Sequence, residues 1–409
     1  MFLALRELRF ARARFGLMGG VVALIAVLMV LLSGLSSGLV NDGVSGLKAM
    51  PATAFAFNEG TKTDNAFSRS VVDENQARIW SEQPGVAEAA LMGTAMMNGT
   101  TGSGTQVDLA LFGVDTDSFL APQIGAGRGI EAANEIVVSS TAADEGVDIG
   151  DVVTLERIGV ELTVVGYTDG QATFGHVDLA YLPLDTWQYL ASGRSAPGAP
   201  TAEAVSGSGF DTASTVALKA RDGEDIDFAA GDAAAGTVTS TLTESFNASP
   251  GYSAETMTLE MIQVFLYAIC ALVVGAFFTV WTIQRKHELA VLRAIGASTG
   301  YLLRDGLLQA AIILVTATLA GIAAGLAMGA GLTGTAMPFA LEAAPIATAT
   351  LLTILLGLAG AAIAIVRISR VDPLAALEDR DEHRNTGTQP RHPDRRTAGR
   401  QGLHGTRGR

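Results

Sequence analysis

Long apolar stretches alternate with one long polar segment along the chain. The stretch from Met261 to Ile283 has no charged residue over about 23 positions, and a helix of that length is longer than the roughly 30 Å hydrocarbon core of a bilayer. Three further stretches reach or approach spanning length: Gly16–Val40, Leu307–Met337 and Ile346–Val366. This pattern predicts four transmembrane helices.

The polar segment between the first two apolar stretches has the pattern of a folded domain. Apolar and polar residues alternate through Val107, Leu109 and Leu111, as in a half-buried strand. Strands are predicted over 107–114, 135–139, 152–157 and 161–167, with a hairpin turn near Ile158 and Gly159. Helices are predicted over 73–83 and 226–235, and a loop over 192–209. We therefore expect a membrane α-helical protein with four transmembrane helices and a large extracytoplasmic α+β domain between helices 1 and 2.

Charge predicts the orientation. Residues 41–256 hold 30 acidic and 9 basic residues, whereas basic residues cluster beside the apolar stretches at 6–14, 285–304 and 367–370. By the positive-inside rule these three clusters are cytoplasmic. We expect a multi-pass protein of the bacterial plasma membrane, with both termini in the cytoplasm and residues 41–256 outside, here called the outer domain. A cleaved signal peptide is the alternative for the first stretch, although its apolar core is longer than the usual 7 to 15 residues.

The predicted organisation is as follows: a cytoplasmic amphipathic helix over 1–15, transmembrane helices over 16–40, 257–283, 305–337 and 346–366, the outer domain over 41–256, a cytoplasmic coupling loop over 284–304, a short outer loop over 338–345 and a disordered cytoplasmic tail over 367–409. A plain positive flank is the alternative for 1–15. The tail histidines lack metal-ligand spacing, and no metal site is predicted.

Small residues line one face of two predicted spans. Gly321, Gly325 and Gly329 recur every four residues in the third, and Gly34 and Gly38 do so in the first. Such faces let helix backbones approach closely. These glycine faces could serve either packing within one subunit or dimerisation of two subunits.

Residues with soft or anionic donor atoms cluster where the second span begins: Tyr252, Glu255, Met257, Glu260 and Met261. Tyrosine and methionine are known iron ligands of haem, which makes this cluster a candidate substrate site. The alternative is an interfacial tyrosine with core methionines. His176 is the only histidine of the outer domain and has no catalytic grouping around it in sequence, so it is taken as structural and no enzyme is predicted.

Four segments resemble the permease subunits of the MacB and FtsX type of ABC transporters. They are R-E-L-R-F-A-R-A-R near the N-terminus, R-K-H-E-L-A-V-L-R-A-I-G-A-S at 285–298, R-I-S-R-V-D-P-L-A-A-L at 367–377, and Gly146–Gly166, which is similar to an element of the family's outer domain. The second segment is the most specific. Within the family, the compact outer domain and the N-terminal opening resemble the smaller haem-efflux and DevC-like glycolipid-export permeases.

The resemblance implies a permease that pairs with a second permease and with a separate cytoplasmic ATPase, which holds the ATP and Mg²⁺. No phosphate-binding G-x-x-x-x-G-K-[ST] motif occurs in the chain, so no cofactor site is expected in it. The coupling loop would dock the ATPase through Arg285, Lys286, Glu288, Leu289, Leu292, Arg293 and Gly296.

The expected function is export driven by ATPase motion in the partner. Since the spans are almost free of charge, the cargo is expected to be amphipathic or hydrophobic, with haem the leading candidate. No nucleic acid partner is expected. A regulatory scaffold of the FtsX kind, which passes ATPase motion to a partner in the cell envelope and transports nothing, is the alternative.

Overall fold

In the computed structural model of this chain, the described residues are 12–207, 209–284, 291, 295–332 and 337–369. Their α-helices are α1 (Arg12–Ala49), α2 (Ala66–Arg69), α3 (Glu74–Ser81), α4 (Leu184–Ala191), α5 (Ala202–Ser206), α6 (Phe228–Ala235), α7 (Leu242–Ser245), α8 (Tyr252–Gln284), α9 (Thr299–Ala330) and α10 (Ala343–Ser369). Two 3₁₀ helices cover Ser140–Ala143 and Phe246–Ala248. Among these, α1, α8, α9 and α10 are long and apolar enough to cross a membrane.

The strands are β1 (Ala54–Asn58), β2 (Val72–Asp73), β3 (Val86–Thr101), β4 (Gln106–Val114), β5 (Ile124–Gly127), β6 (Glu135–Val138), β7 (Val152–Leu155), β8 (Glu161–Thr168), β9 (Thr173–Phe174), β10 (Val177–Pro183), β11 (Thr212–Ala213), β12 (Thr215–Ala220) and β13 (Thr237–Thr241). All of them lie between α1 and α8. The predicted fold class, four spans with a large α+β domain between the first two, is confirmed.

Most strands join one mixed sheet in the order β13-β1-β12-β3-β4-β10-β6-β8-β5. Strand β7 pairs with β3 and β8, and the short β9 pairs with β10. The β7–β8 hairpin turns at Gly159, whose φ of +68° suits glycine, as the sequence predicts. Strand β10 is central, because it pairs in parallel with β4 and antiparallel with β6.

A chain of aromatic rings fills one of the hydrophobic cores of the outer domain. Phe67 lies edge-on to Phe55 at 5.3 Å and to Phe174 at 5.5 Å, and Phe174 in turn lies 5.2 Å from Phe112. Such edge-to-face pairs add about 0.5–1.5 kcal/mol each beyond the area that they bury. Val44 and Leu47 of α1 belong to the same core and are fully buried, so the first span continues into the outer domain.

Several predicted boundaries differ from the structure, and among them α8 begins at Tyr252 rather than 257, α9 begins at Thr299 rather than 305, and α10 covers Ala343–Ser369 rather than 346–366. Helix α1 runs to Ala49 rather than 40, because its last turns bury apolar side chains in the domain core. Helix α9 ends at Ala330 rather than 337, and a turn follows at Gly331, a residue of low helix propensity. The predicted loop 192–209 contains α5, which begins where the Thr201 hydroxyl caps the N–H of Ala204.

The chain divides into two compact units. The larger takes in Ala13–Cys270 and Ile313–Leu356, and therefore contains the outer domain, nearly all of α1, the first part of α8 and parts of α9 and α10. The smaller takes in Arg12 and the described residues of 271–312 and 357–369. Inside the smaller unit Gly275 lies against the backbone of Gly360, since a Cβ at Gly275 would meet the Gly360 carbonyl oxygen at 3.3 Å.

Candidate functional site

The C-terminal turns of α1 are hydrogen-bonded to the β9–β10 hairpin of the outer domain. The Ser45 hydroxyl lies 2.6 Å from the Thr173 hydroxyl and accepts the Thr173 backbone N–H at 2.8 Å. The Gly175 N–H donates to the Gly43 carbonyl at 2.9 Å, and the Ser249 hydroxyl, just before α8, donates to the same carbonyl at 3.2 Å. We call this region, residues 41–47, 171–179 and 249–255, the junction.

Glycine is required where the helix and the hairpin approach most closely. A Cβ on Gly46 would lie 2.5 Å from Cδ1 of the buried Leu179 and 3.0 Å from the Thr173 carbonyl oxygen. The helix is also kinked here, since Val44 has non-helical dihedral angles of φ −145° and ψ 15°. The junction is therefore a closely packed contact between α1 and the β9–β10 hairpin.

The hairpin turns through Gly175 and His176, which both have positive φ, +60° and +67°. Phe174 and Val177 pair directly across this two-residue turn. Positive φ at both central residues matches the turn type that suits the twist of two antiparallel strands. His176 thus adopts a left-handed conformation that residues with a Cβ adopt infrequently.

The His176 side chain joins three separate segments. Its Nδ1 lies 3.0 Å from Oδ2 of Asp42 on α1, and its Nε2 lies 2.9 Å from Oε2 of Glu255 on α8. Gln171 Nε2 donates to the other Asp42 oxygen at 3.1 Å and so orients that carboxylate. The imidazole therefore connects the outer domain to the helices on both sides of it.

Electrostatics favour the charged form of His176. Burial lowers the pKa of the imidazole, but the hydrogen bonds and negative charges of Asp42 and Glu255 outweigh burial, and the pKa is raised above its ordinary value. A pocket of about 370 Å³ opens beside it. Its charged lining residues other than His176 are all acidic: Asp108, Glu145, Glu156 and Asp178.

Two of these pocket acids hold protons more tightly than usual. Burial raises the pKa of Glu145, and the charges of Asp178, Asp108 and Asp42 raise it further. Burial also raises the pKa of Asp178, although a hydrogen bond from the Thr141 hydroxyl partly opposes it. Among the described residues no group of three or more histidine, cysteine, aspartate or glutamate side chains is arranged to hold a metal ion.

The five substrate candidates at the start of α8 lie on two different faces. Tyr252 packs edge-on against Phe246 at 6.0 Å, and Glu255 is held by His176. Met257, Glu260 and Met261 are exposed on the other face, the two methionine side chains with 71% and 53% of their surface accessible. Of the five candidates, only Met257, Glu260 and Met261 are exposed together on one surface of the chain.

The predicted small-residue faces lie against neighbouring segments of the same chain. A Cβ on Gly321 would meet the Ala26 Cβ of α1 at 2.6 Å, and a Cβ on Gly325 would meet Val30 at 2.8 Å. Gly34, Gly38 and Gly329 lie against the segment after α9, where a Cβ on each of them would come within 2.9 Å of Phe339. The glycine faces therefore pack α9 and its following loop against α1.

Most of the predicted ATPase-docking residues lie outside the described part of the chain. These are Arg285, Lys286, Glu288, Leu289, Leu292 and Arg293. Gly296 is described, and it is exposed with a φ of +103°, which favours glycine. The predicted amphipathic helix lies almost wholly outside the described residues, and so does the tail from 370 onward.

Sequence reasoning missed the junction. It treated His176 as an isolated structural histidine and did not consider Asp42, and it assigned Glu255 to a ligand cluster. The available signal was the Gly175-His176 pair between two short apolar runs, which is typical of a hairpin turn and places a titratable side chain at a fixed point.

Comparison with known proteins identifies the family. Residues 14–235 match the family model of the MacB-like periplasmic core domain, which is more than half of the chain, and residues 261–373 match the FtsX-like permease C-terminal model. The chain belongs to the MacB/FtsX family of ABC transporter permeases. The predicted family is thereby confirmed, and so is the multi-pass membrane character.

Individual relatives cover most of the chain. A putative hemin transport system permease protein HrtB of Staphylococcus haemolyticus is 26% identical over 377 residues, covering 92% of this chain and 99% of the relative. An HrtB of Staphylococcus epidermidis is 24% identical over 385 residues, with the same two coverages. An uncharacterized ABC transporter permease of Mycobacterium tuberculosis is 23% identical and covers 79% of this chain and 84% of the relative.

Solved structures with some similarity are extracytoplasmic domains. The extracellular domain of the ABC-type transporter YknZ from Gram-positive bacteria aligns with a TM-score of 0.32 and 12% identity, over 45% of this chain and 90% of that one. The periplasmic region of MacB from Actinobacillus actinomycetemcomitans aligns with a TM-score of 0.33 and 13% identity, over 47% and 89%.

Proposed function

We propose that this permease belongs to a haem exporter of the plasma membrane. Two copies of the permease would pair with each other and bind a cytoplasmic ATPase, and both termini of each copy would lie in the cytoplasm. Motion of the ATPase would reach the loop at 285–298 and pass along α8 to the outer domain. The chain has no phosphate-binding motif of its own, so the energy must come from that partner.

The main support for haem as the cargo is the exposed face at the start of α8. Met257, Glu260 and Met261 are spaced three and four residues apart and therefore share one helix face. Val264 and Phe265 continue this face with 64% and 61% of their surfaces accessible. A thioether and a carboxylate at the edge of an apolar surface suit haem, which has an iron centre, a flat apolar ring and two propionates.

Two further observations support this cargo. Three relatives that each cover 92% of this chain are named as putative hemin transport permeases, at 24% to 26% identity. Charged residues are also nearly absent from the predicted spans, which favours a cargo that enters from the lipid phase over one that crosses a polar channel.

The test is haem binding by the purified chain. Haem added to the detergent-solubilised protein should give a shifted Soret band that weakens in Met257→Ala, Glu260→Ala and Met261→Ala. Met328→Ala is the matched control, because Met328 lies on α9 and is 55% exposed, close to the value for Met261. The same Soret band in all four variants would contradict this site.

A growth assay separates transport from the scaffold alternative. Cells that lack the gene should become sensitive to haem, and the wild-type chain expressed with its ATPase should restore growth. Normal haem resistance in the deletion strain, together with ATP-driven movement of the outer domain in the purified complex, would favour a regulatory scaffold instead.

A further inference from the structure

His176 occupies a position where a glycine would be the easier choice. At the second residue of a turn with positive φ, a side chain is less favourable than glycine, because its Cβ comes close to the following carbonyl oxygen. Strained residues of this kind persist where the surrounding structure holds them, and they occur frequently at functional sites. Here the two hydrogen bonds to Asp42 and Glu255 hold the ring.

Both ring nitrogens face carboxylate oxygens. A neutral imidazole has one N–H donor and can satisfy only one of the two carboxylates, whereas an imidazolium donates to both. The geometry, with contacts of 3.0 and 2.9 Å, therefore suits an imidazolium between two carboxylates. Such charge-assisted bonds are about twice as strong as neutral ones.

The charged groups around His176 are acidic on every side that the structure describes. Helix α1 contributes Asp42 and helix α8 contributes Glu255. The remaining acids line the adjacent pocket: Asp108 of β4, Asp178 of β10, Glu145, which follows the first 3₁₀ helix, and Glu156, which follows β7. If His176 lost its proton, these carboxylates would lose the positive charge of the imidazolium between them.

We propose that His176, as an imidazolium, is the residue that couples the outer domain to the first and second spans, and that loss of its proton uncouples them. Because Asp42 lies on α1 and Glu255 on α8, the ring transmits the displacement of either helix to the β9–β10 hairpin and hence to the central strand β10. This inference rests on the proposed function for its ATP-driven movement, but not on haem as the cargo.

The experiment uses the full chain with its partner ATPase in liposomes. Spin labels are placed at Glu82→Cys on the outer domain and Glu342→Cys before α10, both exposed, in a Cys270→Ala background. The distance between the labels is measured with and without trapped ATP at about pH 5.5 and about pH 8.5, on either side of the ordinary imidazole pKa of about 6.5. We expect an ATP-dependent change in distance at acid pH that is lost at alkaline pH.

Three variants separate coupling from simple structural support. His176→Asn, which tolerates positive φ, should show no ATP-dependent change at either pH, and His176→Gly should behave in the same way without backbone strain. Glu255→Gln, which keeps the shape of the side chain but not its charge, should flatten the pH profile. The control is Glu88→Gln, which removes a carboxylate from the Lys219 ion pair on the same domain and should keep the wild-type profile.

An equal ATP-dependent change at both pH values in the wild-type chain would overturn the proposal, as would wild-type behaviour of both His176 variants. Absence of any ATP-dependent movement in the wild-type chain at both pH values would overturn it too. Haem binding by the same preparations reports separately on the cargo. Movement with the expected pH profile but without a Soret shift supports the coupling role and contradicts haem export.

Discussion

The first three turns of α8 present two faces with opposite surroundings. On one face Tyr252 packs on Phe246 and Glu255 bonds His176, so the helix is fixed to the outer domain. On the other face Met257, Glu260 and Met261 are exposed. A single helical segment thus attaches the domain and presents a free surface.

This difference separates two roles that the sequence places within ten residues. The attached face is suited to transmit movement, because hydrogen bonds and close packing resist displacement. The free face is suited to meet a molecule in the membrane, since burial of its apolar area would contribute about 25 cal/mol per Å². We expect substitutions on the attached face to change stability and coupling, and those on the free face to change binding.

The largest expected effect on stability comes from a substitution at the closest contact of the junction. Gly46→Val would place methyl groups against Leu179 and the Thr173 carbonyl, and overpacking of this kind costs about 1–3 kcal/mol. The melting temperature of the detergent-solubilised chain should fall. Gly20→Val is the matched control on the same helix, because a Cβ at Gly20 meets nothing within 4 Å. Equal melting temperatures for the two variants would show that the junction is loose.

Much of the fold could be predicted because its signals are local. The spans follow from length and lack of charge, and the observed β4 and β8 lie within one residue of the predicted strands, because alternation marks which side chains are buried. The turn at Gly159 was also predicted correctly, because its glycine lies between two apolar runs.

The junction could not be predicted because its partners are distant in sequence. Asp42 and His176 are 134 positions apart, and His176 and Glu255 are 79 apart. Each looks ordinary alone, an acid after an apolar stretch, a lone histidine, and an acid before a span. Only the sheet order, which places β10 beside β4 and β6, and the extension of α1 to Ala49 bring the three together.

A smaller effect should follow from removing the charge at the attached face. The folded pKa of His176 is raised above the ordinary 6.5, so the bridge contributes to stability fully below about pH 6.5, and this contribution is lost as the pH rises through the folded pKa. His176→Asn should therefore lower the melting temperature more at acid than at alkaline pH. A loss that is the same at every pH would mean that the ring is neutral in the folded chain.

The smallest effect on stability should come from the free face. Met257→Ala combined with Met261→Ala removes two exposed side chains, and such surface changes usually shift the free energy of unfolding by less than about 0.5 kcal/mol. Leu259 lies between them on the same helix but is buried, so Leu259→Ala should cost about 2 kcal/mol or more. Thermal unfolding of the two variants beside the wild-type chain makes the comparison. If the methionine double variant melts as early as Leu259→Ala, its side chains pack against protein, and the surface assigned to the cargo is instead an interface.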